Sequence, residues 1–124
     1  MVFSETVLDH FQAPRNVGEL EHPDGAAEDE NPVCGDRLRL QLRIRDGTIE
    51  AVRWRAEGCA PAIAAASVAS ELLEGMRTNE ARGVNRDVLT DALGGLPPRK
   101  AHAAALVASA IRKALDSYET SGGH

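Results

Sequence analysis

The chain has 124 residues and a formal net charge of −5, a length that fits one domain, 1–124, able to bury a core without disulfides. The arginines from Arg37 to Arg55 are offset by an acid-only run containing Glu19, Glu21, Asp24, Glu28, Asp29 and Glu30, and no basic block occurs, which argues against nucleic acid as the main partner. No charged start followed by an apolar run marks a signal peptide, and nothing approaches the ~20 apolar residues of a membrane span, so a cytoplasmic protein is expected. In a reducing compartment its two cysteines are more often free thiols or metal ligands than a disulfide.

Ser4 begins a short amphipathic helix with Glu5 in its first turn, Val7, Leu8 and Phe11 as its apolar stripe, and Pro14 closing it. Residues 1–17 read as an N-terminal helical arm. His10 on this helix reads as a surface or boundary histidine rather than a ligand, because no second ligand type stands beside it at helical spacing. Gly18 to Asn31 is acidic, carries Gly and Pro and has no clear period, so it reads as loop with an edge strand near Ala26 and Ala27.

Leu38, Leu40, Leu42 and Ile44 alternate with Arg39, Gln41, Arg43 and Arg45, the period of a half-buried strand. Asp46-Gly47 marks a turn, and Thr48 to Glu57 alternates again, so the two runs form an antiparallel hairpin. A three-residue loop, Asp46-Gly47-Thr48, pairs Leu42 with Val52, Leu40 with Trp54 and Leu38 with Ala56 and keeps the apolar groups on one face. Continued to the open end, that ladder brings Asp36 beside Gly58 and Cys34 beside Ala60, with Cys59 within a step of both, across strands about 5 Å apart. Cys34 and Asp36 share the parity of Leu38 and point to the covered face unless Gly35 bends the strand.

Cys59 falls at the junction from strand to helix, where unpaired backbone amides and the positive end of the helix dipole favour thiolate. After Pro61, Ala62 to Leu73 is an alanine-rich helix ending near Glu71, Glu74 and Gly75. Thr78 to Arg82 and Asn85 to Leu93 read as two short helices, the second stopped by Gly94-Gly95. Pro97 and Pro98 open the last helix, with the stripe Ala101, Ala104, Ala108, Ile111, Leu115 and Tyr118 and with His102 in its first turn at the border of the buried face. Residues 120–124 read as a flexible tail. The fold class expected is α+β, a small antiparallel sheet of about three strands with helices packed on one face.

Cys34, Asp36, Cys59 and His102 supply two thiolates, a carboxylate and an imidazole, enough for a tetrahedral zinc or one edge of an iron-sulfur cluster. No Cys-x-x-Cys pair occurs, so periodicity and spacing leave open a metal site or two unrelated buried cysteines. Paired catalytic acids, a nucleophile-base dyad and a phosphate loop are missing from the sequence pattern, which makes a conventional enzyme the least expected class.

These residues also carry a family resemblance. Leu8-Asp9-His10-Phe11, Pro14-Arg15-Asn16-Val17-Gly18, Asn31-Pro32-Val33-Cys34-Gly35-Asp36, Gly58-Cys59 before a small-residue helix, and Leu96-Pro97-Pro98-Arg99-Lys100-Ala101-His102 occur in this order along nearly the whole chain. The chain thereby resembles the IscU/NifU-type iron-sulfur cluster assembly scaffolds. The resemblance implies that Cys34 and Cys59, with a third cysteine, hold a 2Fe-2S cluster built from iron and from sulfur delivered by a cysteine desulfurase, for transfer to cluster-acceptor proteins. It also implies that Asp36 and His102 are further ligands in zinc-bound or cluster-bound forms, that Lys100 lines the site, and that Leu96 to Lys100 is a chaperone-recognition segment.

The chain departs from that pattern at Ala103, which stands where the family's third cysteine directly follows the histidine. Alanine can neither bind metal nor receive a persulfide. Cys34, Asp36, Cys59 and His102 remain for a mixed-ligand zinc site, or for a cluster with fewer thiolates and greater lability. The alternative function is a zinc-binding accessory or regulator of cluster assembly or sulfur transfer that does not itself build clusters. Arg99 places a charge where the family tends to have an aliphatic residue, and Phe3 stands where tyrosine is common. The short distance from Cys59 to His102 is IscU-like and disfavours the SufU branch, which carries an insertion there.

Overall fold

The structure, a computed structural model, describes residues 3–32 and 35–120. Residues 121–124, expected as a tail, lie outside the described residues, as does Cys34; Thr120, placed with that tail, is the last residue of the final helix. Helix α1 spans Glu5–Gln12, with the Ser4 side chain accepting a hydrogen bond from the Val7 amide as its cap. Three strands follow, β1 (Gly25–Glu30), β2 (Arg37–Arg45) and β3 (Thr48–Glu57), in one antiparallel sheet of order β1-β2-β3. Helices α2 (Ala60–Leu73), α3 (Thr78–Ala81) and α4 (Arg86–Ala92), a 3-10 turn at Pro98–Lys100 and α5 (Ala101–Thr120) complete the α+β architecture.

The hairpin register is the one that the alternation demands: Leu42 opposite Val52, Leu40 opposite Trp54 and Leu38 opposite Ala56. The loop that achieves it is different. Arg45 pairs with Thr48, so the loop is the two residues Asp46 and Gly47, with φ of 52° and 76°, the left-handed pair that a type I′ turn requires. The register then shifts between Arg43 and Ile44, where Ala51 and Ile49 are the successive partners. Glu50 is thus the extra residue, and this bulge restores the apolar register that a plain two-residue hairpin would have lost.

One face of the sheet is the core. Leu38, Leu40, Leu42, Ile49, Val52 and Trp54 are all buried, with α5 packed along β1 and β2 and α2 against β3 and α5. At about 25 cal/mol per Å² of apolar surface removed from water, these side chains supply the main driving force for closing the layers. Alanines make the approach close: Ala62, Ala64, Ala65, Ala66 and Ala69 of α2 are buried. Gly25 serves the same end in β1, since a β-carbon there would lie 2.5 Å from the Ala114 carbonyl oxygen. β1 carries Gly25, Ala27 and Asp29 inward, and Asp29 meets Lys113 of α5 at 3.1 Å, which is why its sequence lacks an apolar period.

The N-terminal segment is clamped to α2 by polar groups. His10, expected at the surface or boundary, is only 6% exposed; its Nδ1 is 2.7 Å from Ser67 Oγ, which also accepts the Arg15 amide at 2.9 Å. Burial, and next the Arg15 charge, push the His10 pKa below its ordinary value, against the opposing pull of Glu71 and Asp9. Trp54 Nε1 donates to the Arg15 carbonyl at 2.7 Å, and Val17 bridges Trp54 beside β3. The apolar stripe of α1 divides: Val7 is buried, whereas Leu8 and Phe11 are exposed.

Candidate metal centre

Three elements meet at the open end of the hairpin. Asp36 precedes β2, Cys59 caps α2 after β3, and His102 lies in the first turn of α5. Residue 36 is brought in by a tight reversal: the Asn31 amide donates to the Asp36 carbonyl at 2.8 Å, the Gly35 amide donates to the Asn31 carbonyl at 2.7 Å, and Gly35 adopts φ 76°, a conformation natural to glycine. Asp36 is then buried, 3% exposed. Its Oδ1 accepts the Cys59 amide at 3.2 Å, and its Oδ2 lies 3.5 Å from Cys59 Sγ.

Position 58 requires glycine at this junction. A β-carbon on Gly58 would lie 2.5 Å from Asp36 Oδ1 and 2.8 Å from its Cγ, distances that van der Waals radii forbid. Asp36 beside Gly58 is the juxtaposition that the ladder predicts.

His102 is oriented from the backbone. Its Nδ1 lies 3.1 Å from the Arg99 carbonyl oxygen, which can only accept, so Nδ1 carries the proton and the neutral ring keeps its lone pair on Nε2. Among the described residues that nitrogen is buried without a hydrogen-bond partner, and Asp36 Oδ2 stands 3.6 Å away. An orphaned lone pair of this kind is costly in a protein interior. A backbone-anchored imidazole is also the usual arrangement of a metal-ligating histidine.

Ligand atoms of Asp36, Cys59 and His102 all lie within 4.8 Å of one another. Metal-ligand bonds of about 2.0–2.3 Å in a tetrahedron place neighbouring ligand atoms roughly 3.3–3.8 Å apart. The separations of 3.5 Å from Asp36 Oδ2 to Cys59 Sγ and 3.6 Å to His102 Nε2 match that spacing, so the donor set fits a tetrahedral cation.

The electrostatics of Cys59 differ from the helix-cap expectation. Burial pushes its thiol pKa up, and the charge and hydrogen bond of Asp36 push the same way, while the Ala62 amide and the Lys100 ammonium pull it down. Desolvation and a neighbouring carboxylate therefore outweigh the helix terminus, and the metal-free group favours thiol. A bound cation reverses this preference by coordinating the thiolate.

A shallow pocket of ≈ 380 Å³ opens on the cluster, lined by Gly35, Asp36, Glu57, Gly58, Cys59, Lys100 and His102. Lys100, which the resemblance implies as a site-lining residue, is among these. Glu57 was not anticipated, although its place as the last strand residue before Gly58-Cys59 was a usable signal. Ala103 is fully buried. The Ser67-His10 contact superficially resembles a hydroxyl-base pair, but Ser67 is wholly buried and its oxygen is taken up by the Arg15 amide; it is a clamp. Among the described residues no helix is long and apolar enough to cross a membrane.

Comparison with known proteins identifies the family. The NifU-like N terminal domain matches residues 2–123. Iron-sulfur cluster assembly scaffold protein IscU 1 of Archaeoglobus fulgidus is 43% identical over 98% of this chain and 80% of its own length. The scaffold protein IscU of Escherichia coli K12 is 36% identical over 97% of this chain and 96% of its own. In fold, a nitrogen-fixing NifU-like protein (N-terminal) from Brucella abortus superposes with a TM-score of 0.76 at 21% identity, covering 94% of each chain. The chain belongs to the NifU-like N terminal domain family.

Proposed function

We propose that this protein is an iron-sulfur cluster assembly scaffold or carrier that takes iron, a 2Fe-2S cluster or zinc on Cys34, Asp36, Cys59 and His102. The observation that carries this reading is the Nε2 of His102, unpartnered among the described residues, fixed by the Arg99 carbonyl, 3.6 Å from Asp36 Oδ2 and grouped with the Cys59 thiol in a cluster of ligand atoms within 4.8 Å of one another. The scaffold function named for the IscU relatives supports it. Cys34 completes the set as the second thiolate. The protein holds and passes on cargo and performs no turnover of its own; its partners are a cysteine desulfurase, cluster acceptors and, at Leu96 to Lys100, a chaperone. It works in the cytoplasm.

Ala103 favours a second reading, a zinc-binding accessory that does not build clusters, since a mixed N/O/S set with two thiolates suits zinc. Anaerobic reconstitution with iron, sulfide and a desulfurase separates the two. The scaffold reading expects a visible cluster absorption that Cys34→Ala or Cys59→Ala abolishes. A colourless product that binds no iron contradicts it, and stoichiometric zinc in that product supports the accessory.

A further inference from the structure

We infer that Glu57 is the capture residue for the incoming divalent cation, meeting the hydrated ion at the pocket mouth before it passes to Asp36, Cys59 and His102. This rests on the metal-site reading above.

Glu57 lines two cavities at once. One is the site pocket. The other is a larger groove of ≈ 780 Å³ at the same end of the sheet, where Glu28, Asp29, Glu30, Arg37, Arg39 and Arg55 also contribute. The remaining acids of that groove are committed: Glu30 to Arg37 at 2.8 Å, Glu28 to Arg39 at 2.5 Å, and Asp29 to Lys113 at 3.1 Å. Glu57 is opposite Arg37 in the ladder, but that guanidinium is turned to Glu30, and among the described residues the Glu57 carboxylate has neither ion pair nor hydrogen bond.

The inner ligands are poorly placed for first contact with a hydrated ion. The Asp36 side chain is 5% exposed, its Oδ1 holds the Cys59 amide, and His102 Nε2 is buried. A cation must shed water to reach them, and Lys100, in the 3-10 turn that leads into α5, lines the same pocket with a repelling charge. An exposed, hard carboxylate at the mouth offsets that repulsion and binds a cation that still keeps most of its water. The effect is on the rate of loading, and salt should screen it.

Stopped-flow uptake of Co²⁺ by metal-free protein tests this, read by thiolate-to-cobalt absorption at low and high ionic strength. Glu57→Gln should slow association about three- to tenfold at low salt, with the difference shrinking at high salt, and should leave the final spectrum and the dissociation rate unchanged. Glu57→Asp should retain most of the rate. Glu28→Gln, which removes the same charge from a paired position in the groove, should change it less than about twofold. Equal rates for Glu57→Gln and the parent, or an equal slowing by Glu28→Gln, would overturn the inference while leaving the metal site intact. No thiolate-to-cobalt absorption in the parent would overturn the metal-site reading and the inference with it.

Discussion

Gly58 and Asp36 are packed so closely that a single β-carbon on the glycine would sit 2.5 Å from Asp36 Oδ1. Because that oxygen also accepts the Cys59 amide, the glycine sets where both a carboxylate and a thiol stand. Gly58→Ala should force Asp36 to rotate away and lower Co²⁺ or Zn²⁺ affinity by at least about tenfold, with a stability loss of about 1–3 kcal/mol from the overpacked contact. Metal titration with a competing chelator, alongside thermal melts of the metal-free protein, checks both parts. Unchanged affinity would mean that Asp36 is not a ligand.

Cys59 should react with thiol reagents more slowly at neutral pH than an ordinary cysteine, since burial, and then Asp36, raise its pKa. The sign for each neighbour follows. Asp36→Asn removes a negative charge and shifts the alkylation profile to lower pH, and Lys100→Gln removes the opposing positive charge and shifts it higher. The measurement is the rate of alkylation against pH in metal-free protein carrying Cys34→Ser. Shifts in the opposite directions would contradict this charge balance.

Much of this arrangement could be read from the sequence, and what could not has identifiable causes. Alternation of leucine with arginine in β2 admits one register that buries all the leucines, so the juxtaposition of Asp36 with Gly58 and Cys59 followed. The loop is shorter than the alternation implies because the bulge at Glu50 preserves that register with a two-residue turn, and a bulge leaves no mark in the alternation. The thiol's preference was also inverted. A helix N-terminus is visible in sequence, while the burial of Cys59 and the approach of Asp36 depend on the folded packing. His10 looked peripheral because its partner Ser67 lies 57 residues away, and β1 was faint because Asp29 occupies an inward position and pairs with Lys113 there.

His10 gives the fold a dependence on acid. Its folded pKa lies below the unfolded value of about 6.5, so protonation favours the unfolded chain, and the stabilisation should be lost as pH falls from about 6.5 through the folded pKa. Denaturant melts between pH 7 and 5 should show a decline that His10→Gln flattens. An identical decline in that variant would assign the acid sensitivity to other groups.

Ala103→Cys places a thiol next to His102, at the position where the family resemblance implies a third cysteine. The reconstituted cluster should then survive several-fold longer against chelator or air than in the parent, because a soft thiolate joins a ligand set otherwise rich in nitrogen and oxygen. The buried position should cost about 1–3 kcal/mol in the metal-free protein. Decay of the visible absorption provides the readout, and equal lifetimes would show that residue 103 does not reach the cluster.

The central claim is a mixed-ligand site with Asp36, Cys59 and His102 around one cation, completed by Cys34. X-ray absorption at the zinc edge of the stoichiometrically loaded protein addresses it most directly. The predicted result is a four-coordinate first shell with two sulfurs at about 2.3 Å and two nitrogen or oxygen ligands at about 2.0–2.1 Å, with His102→Ala removing the imidazole outer-shell scattering. A shell without sulfur, or one that His102→Ala leaves unchanged, would contradict it.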